Sequence, residues 1–286
     1  MFVVTESDVV WTDDANQIVG RHRLSDGGQT EEALPGAYAL GLDDSGVYAG
    51  GFYGLERLPI DSGVPVISGC GARALALAGD RIYWTTQGSS CVGIRFARKD
   101  GSGPLTAIAS FVDAGTPQDI AISDTTVAVT VRPDLNHAPG LVAVFPIDGG
   151  APLNMPGQGS PRGIVSSGSG FFWVNAGTPT SGNIMPHTGA ILAYSPGAAV
   201  RTIVAGLEEP ADLVVDGEDI YFVTSGTAPS FRDGTVERIG RDGTRRKTLF
   251  TGQWHPTRIF LRGPYLYWMN NANFTAPNGA ILRVAK

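Results

Sequence analysis

The chain has 286 residues, 39 of them Gly and 19 Pro, and its charged residues make up 17%, against roughly 25% in an average soluble domain. Hydrophobic residues at 42% supply a core, but Gly and Pro at this density argue against a helical bundle or a (β/α) barrel, and no apolar run nears the ~18 residues of a membrane-spanning helix. A net charge of −6 and a pI of about 5.2 leave no basic footprint for nucleic acid or an anionic bilayer; the one basic cluster, Arg245-Arg246-Lys247 beside Arg241, reads as a solvated strand edge.

In chain order, one pattern recurs seven times: an apolar triplet, a short polar turn, then a β-rich run with aromatics. It begins at Val3-Val4 with Val9-Val10-Trp11-Thr12 and returns at Leu40-Gly41-Leu42 with Val47-Tyr48-Ala49. Next come Leu75-Ala76-Leu77 with Ile82-Tyr83-Trp84, and Ile120-Ala121-Ile122 with Val127-Ala128-Val129. The last three are Ile164-Val165 with Phe171-Phe172-Trp173, Leu213-Val214-Val215 with Ile220-Tyr221-Phe222, and Ile259-Phe260-Leu261 with Leu266-Tyr267-Trp268. Marked at Trp11, the repeats fall at 11, 49, 84, 129, 173, 222 and 268, a mean spacing of about 43, in the range of a four-stranded propeller blade.

A third strand follows a Gly, as at Gly140-Leu141-Val142, Gly234-Thr235-Val236 and Gly279-Ala280-Ile281. Asp-Gly or Gly-Gly turns, such as Asp26-Gly27, Asp100-Gly101, Asp148-Gly149 and Asp242-Gly243, lead to a fourth strand such as Arg201–Val204 or Thr248–Phe250. These dipeptides suit tight hairpins because they tolerate positive φ. Pro117, Pro161, Pro210 and Pro256 then open the next unit. The prediction is an all-β, seven-bladed β-propeller of four-stranded blades in a single domain 1–286. Its blades run approximately 1–36, 37–71, 72–115, 116–159, 160–208, 209–254 and 255–286.

Trp11-Thr12-Asp13, Tyr83-Trp84-Thr85 and the looser Tyr267-Trp268-Met269-Asn270 resemble the YWTD motif. The runs Pro117–Ile122 and Pro210–Val215 are similar to NHL and YWTD propeller repeats, and Gly279–Val284 resembles the repeat-ending strand of exported bacterial proteins of this group. The resemblance covers nearly the whole chain and implies a fold far more than a function.

Strand counting leaves the seventh blade without its outer strand at Lys286. The expectation is that roughly ten residues of strand, with an export signal, precede Met1; the alternative is a natively three-stranded blade. Cys70 and Cys91 fall on one face of blade three, either as a disulfide or as two free thiols. A disulfide implies an oxidising compartment, so the expected location is extracellular, periplasmic or lipoprotein-anchored.

From the marker residue to the Gly of the third strand, the repeats leave 9, 5, 9, 11, 16, 12 and 11 residues. The long B–C loops belong to blades four to seven, and long loops in an economical repeat are where binding groups reside. With the D–A links they gather His137, His187 and His255, and around them Arg132, Asn136, Asn183, Arg232, Trp254, Arg258, Asn270 and Asn271. Asp119 and Asp212, at the tops of inner strands, with Arg258, form either a candidate charged mouth or hydrogen bonds that tie neighbouring blades together. Two carboxylates make a weak Ca²⁺ or Mg²⁺ site, since Ca²⁺ takes 6–8 oxygens, and no cofactor is firmly implied. Strand alternation lets only one register of inner-strand residues face the mouth.

No HExxH, P-loop, Gly-x-Ser-x-Gly elbow or four-ligand Cys/His set occurs. The expected function is therefore a non-catalytic, exported, monomeric propeller that binds a protein or small polar ligand through the B–C/D–A loop face of blades four to seven. The alternative is an enzyme similar to virginiamycin B lyase or a metal-dependent lactonase, with a His base at the mouth.

Overall fold

Runs of β-branched and aromatic residues bounded by Gly, Pro and Asp turns form strands throughout. The computed structural model describes residues 1–59, 67–68, 71–86, 92–110, 115–132, 140–147, 150–180, 183–271 and 279–286. Among these there are 27 strands and no helix, hence no helix long and apolar enough to cross a membrane. They divide into two compact units, Met1–Ile122 and Ser123–Lys286.

In unit one the first sheet joins β1 (Phe2–Val4), β2 (Asp8–Asp13), β3 (Ile18–Arg23) and β4 (Gln29–Ala33). The second joins β5 (Ala39–Asp43), β6 (Gly46–Gly50), β7 (Gly54–Arg57) and β8 (Ile67–Ser68). The third joins β9 (Ala72–Ala78), β10 (Arg81–Thr86), β11 (Gly93–Arg98) and β12 (Thr106–Ser110), after which comes β13 (Thr116–Ile122). Unit two begins with β14 (Thr126–Arg132), β15 (Gly140–Pro146) and β16 (Leu153–Gln158), neighbours in that order in the fourth sheet. The fifth joins β17 (Pro161–Ser167), β18 (Gly170–Asn175), β19 (Gly189–Tyr194) and β20 (Arg201–Leu207). The sixth joins β21 (Pro210–Asp216), β22 (Asp219–Thr224), β23 (Gly234–Gly240) and β24 (Lys247–Gln253). The seventh has three strands, β25 (Pro256–Arg262), β26 (Tyr265–Asn270) and β27 (Ala280–Ala285). Seven antiparallel sheets in chain order are the blades of a β-propeller.

The core lies between blades, because each sheet can bury both faces only against its neighbours. Side-chain alternation divides β22 between two such layers. Ile220 and Phe222 pack with Phe172, Val174, Ile191 and Leu207 of blade five, whereas Tyr221 and Val223 pack with Ile259, Leu266 and Trp268 of blade seven. In unit one, Tyr48 and Leu55 meet Leu75, Ile82 and Trp84 in the same way. The second strands are thus buried on both faces, as in Gly170–Asn175, while outer strands such as Lys247–Gln253 are largely exposed.

Side-chain ties repeat with the blades. The Trp173 indole N–H and the Asn175 amide both donate to Gln158 Oε1, at 3.1 and 3.0 Å. Two blades later, Trp268 and Asn270 donate to Gln253 Oε1 at 2.9 and 3.2 Å. A Gln ending the outer strand therefore grips the Trp-x-Asn of the following blade. The basic cluster lies exposed beside and on the outer strand Lys247–Gln253, as a solvated edge, and its arginines also pair within the fold. Arg246 forks onto the buried Glu237 (2.7 and 3.2 Å), Arg245 Nη2 lies 3.3 Å from Asp219 Oδ1, and the Arg241 guanidinium covers the Phe172 ring.

Candidate functional site

The residue before each opening Pro of blades five to seven has left-handed backbone: Ser160 (φ 35°), Glu209 (φ 41°) and His255 (φ 48°). Residues before proline ordinarily take extended backbone, and a non-Gly residue at positive φ is uncommon. The same hydrogen bond holds each one. The N–H following the second strand, from Ala176, Ser225 and Asn271, donates to the carbonyl of Ser160, Glu209 and His255 at 3.0, 2.9 and 3.0 Å. Immediately after the Pro, the pairing of first and second strands slips by one residue in all three blades. A bulge re-aims side chains that strict alternation would send elsewhere, and this is why no single inner-strand register describes the site.

Blades five to seven thereby collect a charged and aromatic cluster in unit two. Arg162 Nη2 donates to Glu209 Oε1 at 2.7 Å, with side chains only 25% and 12% exposed. The Arg162 carbonyl accepts from Thr130 Oγ1 at 2.7 Å, and Arg132 follows Thr130 by two residues on β14. Crowding around the Arg132 guanidinium, together with the like charge of Arg162, lowers its pKa below the ordinary arginine value. Ser225 links Glu209 to blade seven, since its N–H meets the Glu209 carbonyl and its Oγ the Pro256 carbonyl at 3.4 Å.

His255 is half-buried and stacks on Phe231, with centroids 4.6 Å apart and planes at 28°. Its N–H donates to the Phe231 carbonyl at 2.8 Å. Burial holds the imidazole below its ordinary 6.5; the Glu209 charge opposes that shift and the Arg162 charge adds to it. His255 is therefore neutral at pH 7, able to accept or donate one hydrogen bond at each ring nitrogen. The loop carrying Phe231 is closed on itself: the Thr227 N–H and hydroxyl both donate to the Asp233 carboxylate at 2.7 Å, holding that carboxyl below its usual range. A Cβ on Gly226, whose φ is +90°, would lie 2.6 Å from Asp233 Oδ1. The next residue of this rim, Arg232, lies 4.8 Å over the ring of Trp254, which is 45% exposed.

The other sequence candidates separate by role. Asp212 is buried and accepts from the N–H groups of Leu213 (2.9 Å) and Ile259 (3.1 Å), so it clamps blade six to blade seven; Arg258 Nη1 lies 3.9 Å from its Oδ2. Gly163 is required beside it, since a Cβ there would sit 2.2 Å from Asp212 Oδ1. Asp119 lies in unit one, and its Oδ1 accepts from the Ile120 N–H. Asn270 donates to Gln253, and Asn271 holds the His255 carbonyl through its backbone. The Asn183 carbonyl closes a loop by accepting from the Thr180 N–H and hydroxyl. His187 is 79% exposed at its side chain, with Nδ1 3.2 Å from Glu208 Oε2.

Asn136, His137, Cys70 and Cys91 lie outside the described residues, and with them the question of the disulfide. Among the described residues no group of three or more His, Cys, Asp or Glu side chains is gathered to hold a metal. Sequence reasoning missed Ser160 and Glu209 as members of the cluster. The signal was available in the shared x-Pro position of Ser160-Pro161, Glu209-Pro210 and His255-Pro256.

No family model matches the chain. Over 101 residues it is 34% identical to a low-density lipoprotein receptor-related protein 1 of Pyricularia oryzae; the match covers 32% of this chain and 33% of the relative, so it spans about a third of that protein's length. Among solved structures, a puromycin-hydrolyzing peptidase of Mycobacterium tuberculosis superposes with TM-score 0.72 at 15% identity, over 99% of this chain and 50% of that one. The nidogen/laminin complex contains a chain that superposes with TM-score 0.57 at 18% identity, over 92% of this chain and 85% of its own length. At these identities the structural likenesses establish the fold alone. The chain is a seven-bladed β-propeller.

Proposed function

We propose that this propeller is a non-catalytic binding module that takes a protein or small polar ligand on the loop face of blades four to seven, through the rim formed by Phe231, Arg232, Trp254 and His255. The observation that carries the reading is the exposed Trp254 under the Arg232 guanidinium, continuous in sequence with the Phe231–His255 stack. Exposed Trp and Arg side chains dominate binding energy where they meet a partner, and here a self-bonded loop presents them with little conformational freedom left to lose. The likeness to a chain of the nidogen/laminin complex supports a binding role. A thermal-shift screen of polar small molecules and peptides tests the reading. A specific binder raises Tm with concentration, and Trp254→Ala weakens it by about tenfold or more. Binding that survives Trp254→Ala undiminished, or no binder at all, overturns it.

A second reading, a lyase- or lactonase-like enzyme with His255 as general base, draws on one observation: burial keeps this imidazole unprotonated at neutral pH. A divalent cation at Asp119 or Asp212 belongs to that reading. The likeness to a peptidase half-matched by this chain brings no residue to it. His255→Asn abolishing turnover of a screened lactone or ester substrate, with Tm unchanged, would establish it over the binding reading.

A further inference from the structure

The charge count of the cluster points to a ligand class, on the basis of the binding reading above. Thr130 bonds the Arg162 carbonyl, and Arg132, two residues on, shares its side of β14 by strand alternation. Glu209 Oε1 takes one nitrogen of Arg162. Among the described residues, Glu209 is paired with Arg162, Arg132 feels the like charge of Arg162, and a neutral imidazole stands beside the pair. A guanidinium offers five N–H donors in a fork that matches a carboxylate in two parallel hydrogen bonds. One further negative charge balances the cluster. A phosphate dianion would bring one charge too many next to Glu209, and like charges at such range disfavour one another.

We propose that Arg132 and Arg162 bind the carboxylate group of a ligand, with the Phe231–His255 stack as the neighbouring wall. Arg132 supplies the exposed half of the clamp and Arg162, fixed by Glu209, the pre-organised half. The like charge of Arg162, which disfavours the Arg132 charge, is offset when the anion arrives. A free organic acid and the C-terminus of a peptide both carry this group with the same single charge.

Thermal shift and calorimetry with acetate, lactate, an N-acetyl dipeptide acid, its C-terminal amide and inorganic phosphate, each against chloride at matched ionic strength, test the proposal. At about a 100-fold excess over Kd a carboxylate raises Tm by about 5 °C, while the amide and phosphate do not. A stronger response to the peptide acid than to acetate and lactate assigns the source to peptide ends, and the reverse to free acids. Arg132→Gln removes a charge-assisted contact and weakens carboxylate binding by about 10–100-fold. Arg132 is exposed, so this variant leaves no buried charge behind. The double change Arg162→Gln with Glu209→Gln, which keeps a hydrogen-bonding pair in place, loses binding as well. Equal shifts with acid and amide, tighter binding of phosphate than of every carboxylate, or full binding by Arg132→Gln overturns the proposal. A flat carboxylate titration with Trp254-dependent binders still present sinks this inference alone. Carboxylate binding with no Trp254-dependent ligand sinks the rim reading instead.

Discussion

His187 and His255 both sit at positive φ in loops of unit two, and each lies by one member of the Glu208-Glu209 pair, yet they do different physical work. His187 stands 79% exposed, with its N–H and Nδ1 both directed to Glu208 Oε2 at 3.1 and 3.2 Å. Water screens such a contact, and exposed pairs contribute about 0–1 kcal/mol. His255 is half-buried on Phe231 and feels the charges of Glu209 and Arg162. Glu209 is itself only 12% exposed and fixed to Arg162. The difference teaches that residue type and loop position do not make a site; removal of water from a pair of charges does. Strained backbone gathers at such places, and Ser160, Glu209 and His255 share theirs because one hydrogen-bond pattern imposes it three times.

The largest effect falls on the clamp between blades six and seven. Asp212→Ala strands the N–H groups of Leu213 and Ile259 in a buried position and lowers stability by about 3 kcal/mol in urea denaturation; a loss below about 1 kcal/mol would remove Asp212 from that role. Glu209→Ala leaves Arg162 largely covered and unpaired, at about 2 kcal/mol, whereas Glu208→Ala costs less than about 0.5 kcal/mol. Equal losses from the two glutamates would erase the distinction between inner and outer pairs.

Acid sharpens the same comparison. Because burial lowers the His255 pKa below 6.5, the unfolded chain takes up a proton before the folded one. The stability this contributes is complete above about pH 6.5 and declines as pH falls from there toward the folded-state value. His255→Gln therefore loses less stability than the native chain between neutral and mildly acid pH, read as Tm against pH. Glu209→Gln removes the charge that opposes the shift, so the His255 NMR titration moves further down. The smallest effect is His187→Ala, which changes Tm by less than about 1 °C at neutral pH.

Much of the fold was written in the repeats. Period-two runs such as Ile220-Tyr221-Phe222 face two neighbouring blades at once, so both parities must be apolar, and that requirement is visible in any sequence of buried strands. The loop residues of the rim were legible too, since Arg232, Trp254 and His255 stand in the long connections. Asp212 reads from the sequence as either a mouth ligand or a tie between blades, and its bonds to Leu213 and Ile259 are such a tie; Asn270, grouped with the loop residues around the histidines, donates to Gln253 of the preceding blade. Sequence does not show which backbone N–H groups a carboxylate will find across a sheet packing.

The seven β units are readable in the chain alone, because hydrophobic period and turn residues are local properties. Which polar residues join depends on how the sheets pack. Bulges after Pro161, Pro210 and Pro256 break the alternation on which any register argument depends. Through them Arg162 reaches Glu209, 47 residues away, and Phe231 reaches His255. Long-range pairing and burial set the charge state of those groups, and neither is a property of any short stretch of chain.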